Sequence, residues 1–196
     1  ITGHGTYVRL PARRGGAGLI YRQAFRQGTL AAVSHYTARE AEIALPGART
    51  AVIPNGIDAE RFAHLPAAQK DGRTVLFVGA LKPRKGVLAL VEALALVRQQ
   101  IPNARCWITG ALDQEPAYVE QVRAAIAERG LTDSVELLGR IPHDELLRRY
   151  AAADVFALPS LNLSGRFEGF GLALLEASAA GLPVIDWPED FVFNTK

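Results

Sequence analysis

The sequence contains no methionine and a single cysteine, Cys106, among its 196 residues. A lone cysteine excludes an internal disulfide, and no charged leader precedes an apolar segment, so we expect a protein that is not secreted. A reducing, cytoplasmic location is the corresponding prediction. Because the chain starts with Ile-Thr-Gly rather than with methionine, we interpret it as part of a longer polypeptide.

Long hydrophobic runs are also missing. Glu92 interrupts the apolar stretch over 87–97, and Glu176 interrupts the stretch over 170–185, so neither has the length of a membrane-spanning helix. With 49% hydrophobic and 21% charged residues, the composition is typical of a folded protein with a core. The chain has neither a DxD-type pair of aspartates nor a cluster of histidine and cysteine, so we expect no bound metal.

Acidic residues are absent from positions 1–39, although the net charge of the whole chain is only +2. The same segment contains six arginines: Arg9, Arg13, Arg14, Arg22, Arg26 and Arg39. Such a basic face attracts phosphates, an anionic acceptor or a lipid surface, and Arg9, Arg13 and Arg14 would contact that surface. An ordinary solvated surface explains the charges equally well. Because no nucleic-acid-binding motif accompanies them, we expect no nucleic-acid partner.

From residue 73 onward, apolar strand-like runs alternate with helical patterns, which is typical of a parallel α/β sheet. The predicted strands cover residues 74–81, 104–110, 135–138, 155–158 and 183–185. The predicted helices cover residues 87–101, 115–129, 144–152 and 171–180. Because the strands are short, apolar and rich in β-branched residues, we expect helices on both faces of the sheet.

A shorter α/β pattern precedes this one. Residues 30–34, 37–45 and 50–54 predict a strand, a helix and a strand, and the helical pattern places its N-cap at Thr37. A polar stretch rich in turn-forming residues follows, so we place a domain boundary near residue 60.

The loop that follows residues 155–158 is a candidate ligand site, because open parallel sheets bind ligands beyond the carboxyl ends of their strands. It reads PSLNLSGRFEGFG and leads into a predicted helix at Gly171. Gly169 and Gly171 would let a phosphate approach the backbone at the helix N-terminus. A flexible connector would contain the same glycines.

Two glutamates flank the start of that helix. Glu176 is the single charged residue over 170–185, and an ionised carboxylate in so apolar a helix is costly unless it is hydrogen-bonded. Ligand hydroxyls would provide those bonds. Glu168 lies eight residues earlier, so the two carboxylates could contact opposite ends of one polar ligand, although any protein contains chance pairs of glutamates.

Two further loops also follow predicted strands. The first contains the cations Lys82, Arg84 and Lys85, and lysine suits the neutralisation of a departing diphosphate. It is not a Walker loop, and a solvated basic turn is an equal alternative. The second loop contains Arg140 and Ile141, where a nucleobase could lie against backbone groups. The alternative there is an ordinary turn.

Several short motifs occur together in the order and spacing of a known family. They read PNGID at 54–58, FVG at 77–79, KG at 85–86, LLG at 137–139, LPS at 158–160, FEGFG at 167–171, LEA at 175–177 and GLPVI at 181–185. Over residues 30–185 the chain resembles glycosyltransferase family 4, and the joint occurrence of the motifs is far more specific than any one of them.

The resemblance implies a fold of two facing Rossmann-like α/β domains, known as GT-B. Residues 1–60 would end the acceptor-side domain, and residues 61–196 would form the donor-binding domain. The implied reaction transfers a sugar from a nucleoside diphosphate sugar to a glycan, lipid or small-molecule acceptor, with retained anomeric configuration and without a metal or other cofactor. We expect the protein in the cytoplasm, with peripheral contact at the inner face of an anionic membrane.

The resemblance also assigns roles to individual residues. Glu168 would contact hydroxyls of the donor sugar, Glu176 would hold the ribose, and Lys85 would bind the diphosphate. His4 would reach the donor sugar from the acceptor side. Backbone donors to the distal phosphate or the sugar would come from Gly169, Phe170 and Gly171.

The chain departs from the family pattern at two places. Many members have an arginine after the first-strand glycine, where this chain has Ala80, so Arg84 or Arg166 would have to supply that cation. After Ile185, DWPEDF replaces the usual glycine-rich loop, which predicts that the chain is inactive by itself. Two alternatives to a glycosyltransferase follow: a donor-binding module without turnover, and a nucleotide-sugar epimerase on the same architecture.

Overall fold

The structure is a computed structural model that describes residues 2–3, 5–12, 15–163 and 167–186. These residues form two compact units. The first unit contains residues 2–56 together with Asn162–Leu172, and the second contains Ile57–Leu161 together with residues 173–186. The loop 162–172 therefore groups with the first unit. The domain ranges 1–60 and 61–196 stay a prediction.

The first unit contains a three-stranded parallel sheet. Its elements are β1 (Thr2–Gly3), a 3₁₀-helix (Gly5–Ala12), α1 (Gly16–Gln27), β2 (Thr29–Ala32), α2 (His35–Ala44) and β3 (Arg49–Val52). The strand order is β1-β2-β3. The sequence pattern did not predict β1, because two residues are too few to show a periodicity. The predicted site residue His4 lies outside the described residues.

The core of the first unit includes one residue from the loop 162–172. Its buried members are Val8, Phe25, Leu30, Ala41, Leu45, Ala48 and Phe167. Phe167 is 3% exposed, so burial of a whole aromatic side chain attaches this loop to the unit and contributes about 1.5–3 kcal/mol.

Helix α2 begins at His35, two residues before the predicted range 37–45. Its N-cap is Ser34, whose side chain accepts a hydrogen bond from the backbone N–H of Thr37 at 3.0 Å. The N-cap prediction at Thr37 is therefore wrong. Serine and threonine are both good N-caps, and the extended backbone of Ser34 (φ −155°, ψ 162°) decides between them.

The second unit is a five-stranded parallel sheet with helices between its strands. Its elements are α3 (Glu60–Ala63), β4 (Thr74–Val78), α4 (Val87–Gln100), β5 (Arg105–Thr109), α5 (Pro116–Glu128), β6 (Val135–Gly139), α6 (His143–Ala152), β7 (Val155–Leu158), α7 (Leu172–Ala179) and β8 (Val184–Asp186). The strand order is β6-β5-β4-β7-β8. This Rossmann-like order confirms the predicted fold class, and it reverses direction between β4 and β7, where such sheets bind ligands.

The core of this sheet explains its apolar strand sequences. Leu76, Phe77, Ile108 and Phe156 have no exposed surface, as expected for strands covered on both faces. Burial also raises the pKa of the Cys106 thiol to about 12, so this cysteine is protonated and unreactive at neutral pH. Within the described residues, no helix combines the length and the hydropathy that crossing a membrane requires.

Candidate functional site

A glycine stands at the carboxyl end of each of three adjacent strands of the second unit. Gly79, Gly110 and Gly139 follow or end β4, β5 and β6, and the amide of Gly110 donates to the carbonyl of Gly139 at 2.9 Å. Gly110 has φ +144°, and a Cβ there would overlap the carbonyl of Gly79. Position 110 therefore requires glycine, because the backbones of β4 and β5 approach closely there. These glycines lie at the carboxyl ends of the strands, which is where ligands of such sheets bind.

The cationic loop after β4 is held by the segment after β7. Arg84 and Lys85 form one turn of 3₁₀-helix, followed by Gly86 in the left-handed region with φ +70°. A Cβ on Gly86 would overlap the carbonyl of Pro159, and the amide of Leu161 donates to the carbonyl of Arg84 at 2.7 Å. These contacts place the Lys85 turn at the reversal point between β4 and β7.

We expect Gly86→Ala to lower the free energy of unfolding by about 2 kcal/mol, because the left-handed conformation and the overlap each cost about 1 kcal/mol or more. Gly130→Ala is the matched control, since Gly130 has φ +66° with no atom near its Cβ position. The control should lose only about 1 kcal/mol in chemical denaturation. Equal losses in the two variants would show that Pro159 does not restrain the turn.

Glu176 lies on α7 and has a tyrosine partner. The hydroxyl of Tyr150, on α6, donates to Glu176 Oε2 at 2.8 Å. Tyr150 is fully buried and stacks on Phe156 with 6.1 Å between ring centroids. Burial, together with the charge of Glu176, raises the pKa of Tyr150, so its hydroxyl remains a proton donor at any physiological pH.

The hydrogen bond from Tyr150 provides part of the compensation that the charge of Glu176 requires. A single charge in an apolar helix indicated a need for ligand hydroxyls, but Tyr150 already satisfies one carboxylate oxygen. Among the described residues, no side chain or backbone group donates to the other oxygen, Oε1. The carboxylate is therefore oriented by the protein and keeps one acceptor atom available.

The loop of Glu168 packs against the N-terminal turn of α2. The Phe167 ring meets the Tyr36 ring edge-to-face at 5.0 Å between centroids. Asn162 Nδ2 donates to the Tyr36 hydroxyl at 3.0 Å, and Thr37 Oγ1 donates to the carbonyl of Gly169 at 3.3 Å. Three points of the loop, before and after its glutamate, are thus held by two neighbouring residues of one helix.

Arg9 also takes part in this packing. Its guanidinium donates to Glu40, a carboxylate that is only 10% exposed, and lies 5.3 Å from the centroid of the Phe167 ring. The hydrogen bond to Glu40 raises the pKa of Arg9. The charge of Arg9 is thus compensated within the unit, and the expectation that Arg9 contacts a lipid surface stays a prediction. Arg13 and Arg14 lie outside the described residues.

The structure brings some predicted site residues together and separates others. Arg84 and Lys85 share one turn in the second unit, which also contains Glu176, Arg140 and Ile141. Arg140 forms an exposed ion pair with Asp113 at 3.4 Å, beyond β6, and β5 separates that strand from β4. The predicted donors of the first unit are Glu168, Gly169, Phe170 and Gly171. Arg166, like His4, is not among the described residues.

Sequence reasoning missed Tyr150 and the role of Thr37 in holding the loop 162–172. Tyr150 is visible in the sequence only as a buried position of a helical pattern, and its contact with Glu176 joins residues 26 positions apart. Thr37 showed a helix-cap signal, but its contact with Gly169 joins residues 132 positions apart. Neither contact leaves a signal in local spacing.

The family model and the relatives that match this chain are all glycosyltransferases. The family model described as glycosyl transferases group 1 matches residues 65–187. The chain is 38% identical over 165 residues to a GDP-mannose-dependent alpha-(1-6)-phosphatidylinositol monomannoside mannosyltransferase of Mycobacterium tuberculosis, covering 78% of this chain and 42% of that protein. It is 35% identical over 159 residues to a D-inositol 3-phosphate glycosyltransferase of Corynebacterium efficiens, covering 78% and 36%.

A solved structure agrees with these sequence matches. Sucrose-phosphate synthase from Thermosynechococcus elongatus superposes with a TM-score of 0.72 at 30% identity, covering 94% of this chain and 49% of that chain. The chain thus spans less than half the length of each of these relatives. Because the family model matches more than half of the chain and the parallel α/β fold agrees, the chain belongs to the glycosyl transferases group 1.

Proposed function

We propose that the full-length protein is a retaining, metal-independent glycosyltransferase of family 4 that transfers a hexose from a nucleoside diphosphate sugar. The observation that carries the proposal is the restrained turn of Lys85 at the reversal point of the sheet, next to Gly86 and Pro159. A cation held in place before the reaction stabilises the charge of a departing diphosphate without reorganisation.

The nucleoside part of the donor would be bound by Glu176. Tyr150 holds Oε2 of the carboxylate, and Oε1 is then oriented to accept a ribose hydroxyl. Arg84 would add the phosphate cation that Ala80 does not provide, and the backbone near Arg140 and Ile141 would contact the base. These last assignments rest on the strand-end rule and on the family resemblance.

The sugar end of the donor would be bound by the loop that packs on α2. Here the resemblance supports the assignments: Glu168 to the sugar hydroxyls, and the backbone N–H groups of Gly169, Phe170 and Gly171 to the distal phosphate or sugar. His4 would contact the sugar as well. These roles stay proposals.

The names of two relatives guide the choice of substrates. One is a GDP-mannose-dependent enzyme that acts on a phosphatidylinositol mannoside, and the other acts on an inositol phosphate. Both acceptors are anionic, which agrees with the acid-free segment 1–39. We therefore propose GDP-mannose as the first donor to test, an anionic glycan, lipid or small molecule as the acceptor, and a cytoplasmic location.

Product analysis on the full-length protein tests this proposal. A panel of nucleoside diphosphate sugars, beginning with GDP-mannose, is incubated with and without acceptor and with and without a metal chelator. We expect transfer with retained configuration that the chelator does not reduce. Donor binding without transfer to any acceptor would support a binding module instead, which the missing cation at Ala80 favours. Conversion of the donor into an isomeric nucleotide sugar without acceptor would support an epimerase.

Helix α1 is the described surface best suited to an anionic membrane. Leu19 and Ile20 are 64% and 71% exposed, Arg26 is also exposed, and the helix contains no acidic residue. We expect the full-length protein to bind anionic vesicles, with binding that falls as salt shortens the screening length. Ile20→Ser combined with Arg26→Gln should weaken that binding severalfold in a sedimentation assay.

The matched control is Ile43→Ser, which removes an apolar side chain that is 73% exposed on α2, next to Glu42. This variant should bind vesicles like the wild type. Equal binding of neutral and anionic vesicles at every salt concentration would contradict the membrane proposal and leave only a solvated surface.

A further inference from the structure

A chain of three hydrogen bonds connects the first turn of α2 to the loop 162–172, and its direction is determined. The N–H of Thr37 donates to Ser34 Oγ at 3.0 Å, the two hydroxyl oxygens are 2.9 Å apart, and Thr37 Oγ1 lies 3.3 Å from the carbonyl oxygen of Gly169. A carbonyl only accepts, so the Thr37 hydroxyl must donate to Gly169. The Ser34 hydroxyl must then donate to Thr37.

The hydroxyl groups that form these three hydrogen bonds are buried. Thr37 has no exposed surface and Ser34 is 4% exposed, so water does not compete for either hydroxyl. Each group in the chain has the partner that its chemistry requires, and losing one would leave a buried polar atom unpaired. The Thr37 hydroxyl is therefore held in the orientation that contacts Gly169.

The bond to Gly169 fixes the direction of another group. The carbonyl of Gly169 and the N–H of Phe170 belong to one planar trans peptide, so they point in opposite directions. With the carbonyl held toward α2, the Phe170 N–H points away from that helix. Glycine permits the backbone rotations that would turn this peptide over, so an unrestrained loop would lose the direction of the N–H.

We infer that Thr37 is a positioning residue that aims the Phe170 N–H, the backbone donor assigned above to the distal phosphate or sugar. This inference rests on the proposed function and extends it to a residue of α2. Tyr36, the neighbour of Thr37 on α2, restrains the same loop through its contacts with Phe167 and Asn162. A donor that is oriented before the substrate binds stabilises developing charge more effectively than one that must reorient.

The test compares Thr37→Val with Thr37→Ser in the full-length protein. Valine keeps the shape of threonine but removes the hydroxyl, whereas serine keeps the hydroxyl. We expect Thr37→Val to lower kcat about five- to tenfold, less than the loss of a whole donor because the peptide still samples the correct orientation. The KM for the donor and the affinity for the free nucleoside diphosphate should change less than twofold, and Thr37→Ser should retain most of kcat.

Thr50→Val is the matched control, because it removes a hydroxyl from β3 of the same unit. It should leave kcat unchanged. Three results would overturn the inference: an unchanged kcat in Thr37→Val, an equal loss in Thr37→Ser, or a rise in KM at constant kcat. The second result would mean that the methyl packing matters rather than the hydroxyl.

A spectroscopic measurement separates this inference from the proposed function. The amide resonance of Phe170 should be single and similar in the wild type and Thr37→Ser, and shifted or doubled in Thr37→Val. If the wild type transfers no sugar, the proposed function fails, but the resonance still reports the peptide orientation. An unchanged Phe170 resonance in a folded Thr37→Val protein would overturn the inference regardless of activity.

Discussion

Replacing Glu176 with alanine should weaken binding of a nucleoside diphosphate by about 1.5–3 kcal/mol, which is roughly tenfold to 150-fold. The carboxylate is oriented by Tyr150 through Oε2, and Oε1 would accept the ribose hydroxyl. Removing a charged acceptor loses that bond entirely. The free energy of unfolding should also fall, by about 1–3 kcal/mol, because the variant leaves the buried Tyr150 hydroxyl without its acceptor. Calorimetric titration of the full-length protein measures the first quantity, and chemical denaturation the second.

Three comparisons make this test specific. Tyr150→Phe should weaken nucleotide binding less than Glu176→Ala, because the carboxylate remains but loses its orienting bond. Glu92→Ala is the matched control, since Glu92 lies on α4 and forms an exposed ion pair with Arg129. A nucleotide whose ribose hydroxyls are replaced by hydrogen should bind wild type and Glu176→Ala equally. Unchanged affinity of Glu176→Ala for the intact nucleoside diphosphate would remove the ribose assignment.

Replacing Lys85 with alanine should weaken nucleoside diphosphate binding by a similar factor, about tenfold to 150-fold, while the affinity for the nucleoside stays within twofold. The ammonium group interacts with the diphosphate as a point charge, so its loss affects only ligands that contain phosphate. The turn is restrained at Gly86 and by the bond between Leu161 and Arg84, so its backbone should keep its position in the variant. Titrations with the nucleoside and with its diphosphate measure the two affinities.

Lys70→Ala provides the control for general electrostatics. Lys70 is exposed in the segment before β4, and its removal changes the net charge by the same amount. Both affinities should remain at wild-type values in this variant. If Lys85→Ala lowers nucleoside and diphosphate affinity equally, the lysine is structural and the diphosphate assignment is wrong.

Much of the second unit could be predicted from the sequence, because its information is local. Alternating apolar runs and helical patterns predicted all five of its strands and the helices that follow four of them, with bounds that differ by a few residues. The strand predicted over 74–81 ends at Val78, since the apolar residues beyond it belong to the loop. Apolar composition marks burial rather than hydrogen-bonded pairing, so it does not locate the end of a strand.

The candidate site was predictable only in part. Glycines and charges indicated loops that follow strands, since the carboxyl ends of parallel strands lie along one edge. The ion pair of Arg9 could not be predicted, because its partner Glu40 lies 31 positions away on another helix. Separations of 26 and 132 positions likewise concealed the contact of Tyr150 with Glu176 and that of Thr37 with Gly169. Spacing along a chain indicates which side chains share an element, but not which elements meet.

The sequence by itself determined the parallel α/β class, the order of the elements and the family, because these depend on the periodicity of apolar residues and on short motifs. The tertiary structure decided which oxygen of Glu176 is already bonded, why Gly86 must be glycine, and where the carbonyl of Gly169 points. Each of these depends on the direction of one bond relative to a distant atom. Such directions are set when secondary-structure elements pack, and no local pattern of residues records them.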